Sequence, residues 1–341
     1  MLGRHMIDLS NNTNPYGMSI KTYWEYIKAG LRYGHTYDNF QELMKNELQH
    51  YYLELYGVEL LVSNFAVTAG ITQAINIISR TLNKDDEVIL SEPTYLGYES
   101  AVKKVGATIR KKALKSDNHQ DFNGILKLIN RKTKIIFICN PNNPTGVFER
   151  EKLYAFLNEV PEKILVVVDE AYIDYVIDGE SFSAINMLHQ KKNIIILRSF
   201  SKIYGLAGLR LGYVISSEEV IMKLRGIGGY YMSVTAPSIM AGISALRDRK
   251  RCLKIQKRNI RERNIIIEKL KKYNIMCCDS DTNFIYCITQ INKFELYNSL
   301  LERHIAINDE YPNLRITIGS KKQNKKLLLE IGGIIKDNER V

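Results

Sequence analysis

Four short apolar runs along the chain share one design. Val88–Leu90 in DEVILSEPTY, Ile135–Cys139 in TKIIFICNPNNPTG, Ile164–Val168 in EKILVVVDEAY and Ile194–Leu197 in NIIILRSFSK are each continuous, and each turns polar at its carboxyl end. A strand with one wet face alternates polar and apolar residues. A continuous run suits a strand buried on both faces, as in a parallel sheet covered by helices. The segments between the runs carry helical spacing, EREKLYAFLNEV (149–160) among them. NFAVTAGITQAINIISRTL (64–82) predicts a short strand, a turn at Gly70, and a helix with Ala74, Ile75, Ile78 and Leu82 on its apolar face. The pattern therefore predicts an α/β fold.

Toward the carboxyl end the pattern changes. RDRKRCLKIQKRNIRERN (247–264) predicts an amphipathic helix, with Leu253, Ile260 and Ile267 at helical spacing and charges opposite. One helix over 236–273 would connect two domains. GIGGYY (226–231) follows no clear strand, does not fit GxGxxG, and reads as a loop. The expected division is a large domain over 38–248, a small domain from 18–37 and 249–341, and an N-terminal arm over 1–17. MIDLSNNTNPYG, from Met6, reads as the native start.

Composition narrows the classes. The 341 residues are 45% hydrophobic and 25% charged, enough for a large core in two domains. The net charge of +11 is spread thinly, except in the basic helix above. That helix lacks interleaved aromatics, and no nucleic-acid-binding motif occurs, so a solvated face is the expected reading and no nucleic-acid partner is expected. Five cysteines form no CxxC and the six histidines show no ligand spacing, so neither a disulfide scaffold nor a metal site is expected. Reduced thiols and the lack of a signal peptide or a membrane-length apolar segment point to a cytoplasmic protein.

The chemistry collects at the strand ends. In open α/β sheets ligands bind beyond the carboxyl ends of the strands. There the sequence places Tyr95, Asn143, Asp169 and Lys202. The Gly70 turn would leave the amides of Ile71 and Thr72 free at a helix N-terminus, an anion site. A lysine amine can join to an aldehyde. Pyridoxal 5'-phosphate is the aldehyde cofactor that matches the rest. Its pyridine nitrogen calls for a buried carboxylate, which Asp169 supplies. Its ring oxygen wants donors, available from Asn143 and Tyr172, and its ring face an aromatic plate, available from Tyr95. Its phosphate wants hydroxyls, a guanidinium and helix-end amides, available from Ser199, Ser201, Arg210 and the Gly70–Thr72 turn.

SFSKIYGLAGLRLGY, NPNNPTG, VVVDEAY, SEPTY and NNTNPYG all occur in this chain, and together they resemble the class I/II aminotransferases of the aspartate aminotransferase fold. The resemblance runs from about Asp8 to Leu327. Within that family the chain is most similar to histidinol-phosphate aminotransferases and threonine-phosphate decarboxylases. The fold implied is a large domain with a mainly parallel central sheet between helices, plus a smaller α+β domain. The resemblance makes Lys202 the lysine that bonds the cofactor, with Asp169 on the pyridine nitrogen and Tyr172 and Asn143 on the ring oxygen. Tyr95 would stack on the ring, and Ser199, Ser201, Arg210, Ile71 and Thr72 would hold the phosphate. Tyr37 matches a tyrosine lent to the other subunit of a homodimer, although Asp38 follows it where relatives have proline. Arg315 in NLRITIG matches a carboxylate clamp, and Asn14 and Tyr16 fall on the substrate side. Arg198, Glu170 and Asp174 read as structural.

Two departures lie on the substrate side. Asn308 stands where histidinol-phosphate aminotransferases carry an arginine for the substrate's own phosphate. Tyr231-Met232-Ser233-Val234 replaces a Pro-aromatic-Asn-Val loop. The implied activity is amino transfer between a donor such as glutamate and a small, anionic keto or aldehyde substrate. Decarboxylation of a phosphorylated amino acid uses the same cofactor cradle and remains the alternative.

Overall fold

The computed structural model describes residues 6–35, 40–228 and 234–338. A two-residue strand, β1 (Ile7–Asp8), and two helices, α1 (Ile20–Tyr33) and α2 (Phe40–Tyr56), precede the main sheet. That sheet contains β2 (Phe65–Thr68), β3 (Glu87–Glu92), β4 (Thr108–Ala113), β5 (Thr133–Cys139), β6 (Leu165–Asp169), β7 (Ile194–Ser199) and β8 (Gly212–Ser216). Its order is β2-β8-β7-β6-β5-β3-β4. The pairings from β4 through β7 are parallel, and β8 is antiparallel to both its neighbours. The four continuous apolar runs are the four central parallel strands β3, β5, β6 and β7. The chain between β7 and β8 carries the lysine motif instead of a crossover helix, so β8 returns antiparallel.

Helices cover both faces. α3 (Ile71–Ser79), α4 (Leu96–Val105) and α7 (Glu218–Gly228) pack on one, burying Val88, Leu90, Ile135, Phe137 and Val167. α2, α5 (Phe122–Leu128), α6 (Glu151–Glu159) and α8 (Ala236–Leu246) pack on the other, over Ile136, Ile138, Val166, Val168 and Ile196. Alternate residues of each run thus enter opposite cores, which is why the runs show no polar face. Gly106 ends α4 in the left-handed conformation at φ 77°, where a Cβ would be strained.

The smaller unit has its own core. It is built on α9 (Arg249–Lys271), β9 (Ile275–Cys277), β10 (Phe284–Thr289), α10 (Lys293–Glu302), β11 (Ile305–Ala306), β12 (Leu314–Thr317) and α11 (Lys321–Asn338). The strand orders are β12-β10-β9 and β1-β11. Ile266, Leu270, Ile285, Leu296, Ile316, Leu327 and Ile331 close this core, joined by Leu9 from the N-terminal arm.

Several expectations change. Of the expected 18–37 segment, the described residues 18–35 do not join the small domain: α1 packs along α8, and Met18, Tyr26 and Tyr33 lie against the large-domain core. The connector is two helices, not one over 236–273. The chain leaves helical geometry at Asp248 (φ −96°, ψ 50°), a residue type that favours helix starts, before α9 begins. The buried stripe of α9 is Ile255, Asn259, Arg263, Ile266 and Leu270, and Leu253 is exposed. Polar residues at two stripe positions hide it in the sequence: Asn259 and Arg263 both donate to the Thr282 carbonyl. GIGGYY is not wholly a loop, because residues 226–228 are the last turn of α7. Its remainder lies outside the described residues.

Candidate active site

The carboxyl ends of β5, β6 and β7 and the N-terminus of α3 converge on a cavity of about 240 Å³. Ten of the predicted residues line it: Ile71, Thr72, Tyr95, Asn143, Asp169, Tyr172, Ser199, Ser201, Lys202 and Arg210. Strand register accounts for part of this. Asp169 ends β6 opposite Cys139 of β5 and Leu197 of β7, two residues before Ser199.

Asp169 is 2% exposed. It accepts hydrogen bonds from the Tyr98 hydroxyl at 2.7 Å and the Ala171 amide at 3.1 Å. Burial pushes its carboxyl up to about 6, against the opposing pull of those two donors and of Lys202. Lys202 is displaced the other way. Burial lowers its amine to about 8, with further lowering from Arg315 and Arg210, while Asp169 opposes the change. Its Nζ donates to the Asn11 carbonyl at 3.3 Å and lies 5.2 Å from the Tyr172 ring centre. The cavity thus pairs an amine that readily loses its proton with a carboxyl that readily keeps one.

The anion end is built from backbone. Gly70 caps α3 at φ 75°, and a Cβ there would come within 2.7 Å of Arg210 Nη2. The positive φ is what favours glycine, since the arginine tip could shift to admit a Cβ. Gly212 is as tightly placed, since its Cβ would meet the Ile71 nitrogen at 3.0 Å. Arg210, itself left-handed at φ 50°, is therefore drawn against the amide-rich start of α3, with Ser199 and Ser201 alongside. Guanidinium, free helix-end amides and hydroxyls make a receptor for a phosphate dianion. The Ser199 hydroxyl accepts from the Ser201 amide at 3.1 Å, which orders the turn into Lys202.

Arg315 on β12 reaches this site from the small unit. Its Nη1 donates to Asn143 Oδ1 at 2.6 Å and its Nη2 to the Ser10 carbonyl at 2.6 Å. Its Nε is buried without a partner. The guanidinium lies 5.7 Å from the Phe284 ring centre and 5.4 Å from that of Tyr311. Asn308 exchanges both backbone hydrogen bonds with Arg315, at 3.0 and 2.9 Å. The Asn308 side chain donates to Glu310 Oε2 at 2.7 Å, and its own Oδ1 is buried with no partner.

None of the four expected substrate-side residues lines the cavity itself: Arg315 reaches it through Asn143, whereas Asn14, Tyr16 and Asn308 bond elsewhere. Asn14 Nδ2 donates to the Ile203 carbonyl at 2.7 Å, and Asn14 Oδ1 accepts from the Tyr16 amide at 2.9 Å. Tyr16 packs beside Tyr175, Ile203 and Ile255, with Arg258 5.4 Å from its ring centre. The same arm contributes Asn11 and Thr13 instead. Gly17 closes a turn by donating its amide to the Asn14 carbonyl at 3.2 Å. Tyr37 and Tyr231–Ser233 lie outside the described residues. Arg198, Glu170 and Asp174 form a buried ionic cluster, Arg198 lying 3.2 Å from Glu170 and 3.7 Å from Asp174.

Sequence reasoning misses three contributors. Tyr98 holds Asp169 and stacks on Phe137 (4.9 Å between centroids); it lies one helical turn after Tyr95, a spacing that could have found it. Asn12 donates to the Tyr172 hydroxyl at 3.0 Å, leaving that hydroxyl's own proton free to donate. Tyr311 stands over Arg315, its ring centre 5.4 Å from the guanidinium, and packs beside Cys278 and Tyr286. No local spacing signals Asn12.

The residues fit a phosphorylated pyridine aldehyde: a buried carboxylate, a poised amine and a glycine-lined anion cradle that a Cβ would fill. A chain with this fold and this constellation is a pyridoxal-phosphate-dependent enzyme. Residues 4–331 match the model of the aminotransferase class I and II family. The chain is 31% identical over 338 residues to the histidinol-phosphate aminotransferase of Halalkalibacterium halodurans, covering 97% of this chain and 89% of that protein. It is 32% identical to that of Bacillus velezensis, covering 97% and 92%. The crystal structure of histidinol-phosphate aminotransferase from Sinorhizobium meliloti in complex with pyridoxal-5'-phosphate superposes with a TM-score of 0.89 at 22% identity, covering 98% and 93%. The chain belongs to the class I and II aminotransferases. It is an enzyme, its cofactor is pyridoxal 5'-phosphate, and it transfers amino groups between small molecules.

Proposed function

We propose that this enzyme moves an amino group between an amino-acid donor such as glutamate and a small phosphorylated keto or aldehyde acceptor, with the histidinol phosphate pair as the first substrate to test. The observation that carries the reading is the meeting of Lys202, Asp169 and the Arg210–α3 anion cradle in one cavity, with Arg315 at its back. Relatives at about 31% identity over nearly the whole chain bear the histidinol-phosphate name.

The cofactor, when bound, supplies an electron sink conjugated to the substrate carbon. Asp169 would keep a proton on the pyridine nitrogen, and Tyr98 holds its carboxylate in place. Asn143 and the Tyr172 hydroxyl would donate to the ring oxygen, and Tyr95 would cover the ring. Arg210, Ser199, Ser201 and the amides of Ile71 and Thr72 would hold the phosphate. Lys202 would bond the cofactor's aldehyde carbon, and its amine would be placed to accept a proton and give it back. Its lowered pKa suits it to both jobs. Arg315 orients the donor's carboxylate.

The same reading has this enzyme working as a cytoplasmic homodimer. α1 supports the dimer, because Ile20, Trp24 and Leu31 form an apolar face that is 79%, 54% and 82% exposed. Unbridged cysteines among the described residues support a reducing compartment.

The test supplies the loaded enzyme, in parallel, with histidinol phosphate plus 2-oxoglutarate and with a phosphorylated amino acid such as threonine phosphate plus 2-oxoglutarate, and measures glutamate formed and CO2 released. Glutamate without CO2 is the expected result. CO2 release from a phosphorylated amino acid with no amine exchange would overturn it.

A further inference from the structure

Outside the lining of the amine cavity, two thiols face each other across the small sheet. Cys277 on β9 pairs directly with Cys287 on β10, and their sulfurs are 3.4 Å apart. The neighbouring pair is hydrogen-bonded, Cys278 N to Tyr286 O at 3.0 Å. Ladder alternation therefore makes Cys277 and Cys287 a non-hydrogen-bonded pair, the kind whose Cα atoms approach to about 4.5 Å. That separation lies at the near end of the range a disulfide spans, about 4.4–6.8 Å. At that backbone spacing a bridge calls chiefly for side-chain rotation.

The two residues differ in exposure. β9 is the edge strand, and Cys277 is partly exposed, whereas Cys287 is 1% exposed in the small core. The remaining thiols are set apart. Cys278 points to the opposite sheet face, beside Tyr286 and Tyr311, and burial raises its thiol to about 11. Cys139 is buried and directed at the Pro141 carbonyl. Cys252 is raised by burial to about 12.

We propose that Cys277 and Cys287 form a dithiol site for two-electron exchange with small disulfides. The Cys277 thiolate attacks one sulfur of the external disulfide and expels the first reagent thiol. Cys287 then gives up its proton, attacks Cys277 Sγ and expels the second. One external disulfide is reduced to two thiols, which carry away both protons, and one protein disulfide forms. The product pins the edge strand to β10, whose other neighbour, β12, carries Arg315.

The experiment incubates the cofactor-loaded full chain with excess oxidised glutathione at about pH 8, where a thiolate is available. The reaction is quenched by alkylation and read by intact mass and peptide mapping. The expected result is a loss of about 2 Da, two fewer alkylated thiols, and a peptide joining Cys277 to Cys287, all reversed by a dithiol reductant. Cys287→Ser should trap a stable glutathione adduct on Cys277, and Cys277→Ser should give neither bridge nor adduct. An unchanged wild-type mass, glutathione adducts without a bridge, or a bridge between other cysteines would overturn the proposal.

Discussion

Replacing Lys202 with methionine should stabilise the cofactor-free protein while abolishing turnover. An ordinary lysine titrates near 10.5, and here burial brings the amine to about 8. At neutral pH the folded chain must therefore hold a cation it disfavours. Every tenfold change in proton affinity is worth about 1.4 kcal/mol, so the drop from 10.5 to about 8 corresponds to roughly 3 kcal/mol. Lys202 keeps some solvent contact, which reduces the cost, and methionine forgoes the bond to the Asn11 carbonyl. A net gain of about 2 kcal/mol remains. The sign with pH follows from proton counts. Between about 8 and 10.5 the unfolded chain binds more protons at this residue than the folded one, so wild-type stability from this group rises with pH through that window. Below about 8 the full penalty applies. Paired urea titrations of the cofactor-free wild type and Lys202→Met should show the variant ahead at about pH 7 and the gap mostly closed near pH 10.5. A variant less stable at neutral pH, or a gap that does not change with pH, would refute a buried, depressed amine.

Other outcomes test the remaining groups. Asp169→Asn should keep the fold and lower kcat by about 10²-fold or more, because the amide cannot hold the pyridine proton; steady-state kinetics with a loss under about threefold would count against the assignment. Arg315→Ala should raise KM for glutamate by about tenfold or more, and Arg315→Lys should not restore it, since a point charge lacks the planar fork. Asn308→Arg should raise kcat/KM for histidinol phosphate by about tenfold if about 1.4 kcal/mol of anion binding is recovered. Asn308 pairs its backbone with Arg315 and its side chain with Glu310, so any gain would need the new guanidinium to turn from Glu310 toward the substrate. Sedimentation at micromolar concentration should show a dimer, and a fully active monomer would contradict it.

The sequence is most legible where one local pattern determines a position. The four central strands declare themselves because both their faces are buried. Lys202, Asp169 and Asn143 stand at strand ends within specific motifs, so their convergence can be read from the chain alone. The α3 anion site is readable because Gly70 must be left-handed. Positions set by long-range packing are not legible. Asn259 and Arg263 are buried because the Thr282 carbonyl needs donors, which no helical periodicity records. α1 belongs with α8 through tertiary packing alone. Asn14 and Tyr16 sit in an arm whose earlier residues, Asn11 and Thr13, line the cavity instead. Asn12 acts across 160 residues of chain, so only the folded molecule shows its role.

The central claim is that Lys202 carries the cofactor in this cavity. Borohydride reduction of the loaded enzyme, which fixes the bond between a lysine nitrogen and the cofactor's aldehyde carbon, followed by peptide mapping, tests it most directly. One modified peptide, containing SFSKIYG, is expected, with the added mass on Lys202 and one label per chain. A label on any other lysine, or a loaded and active enzyme that takes no label at Lys202, would contradict it.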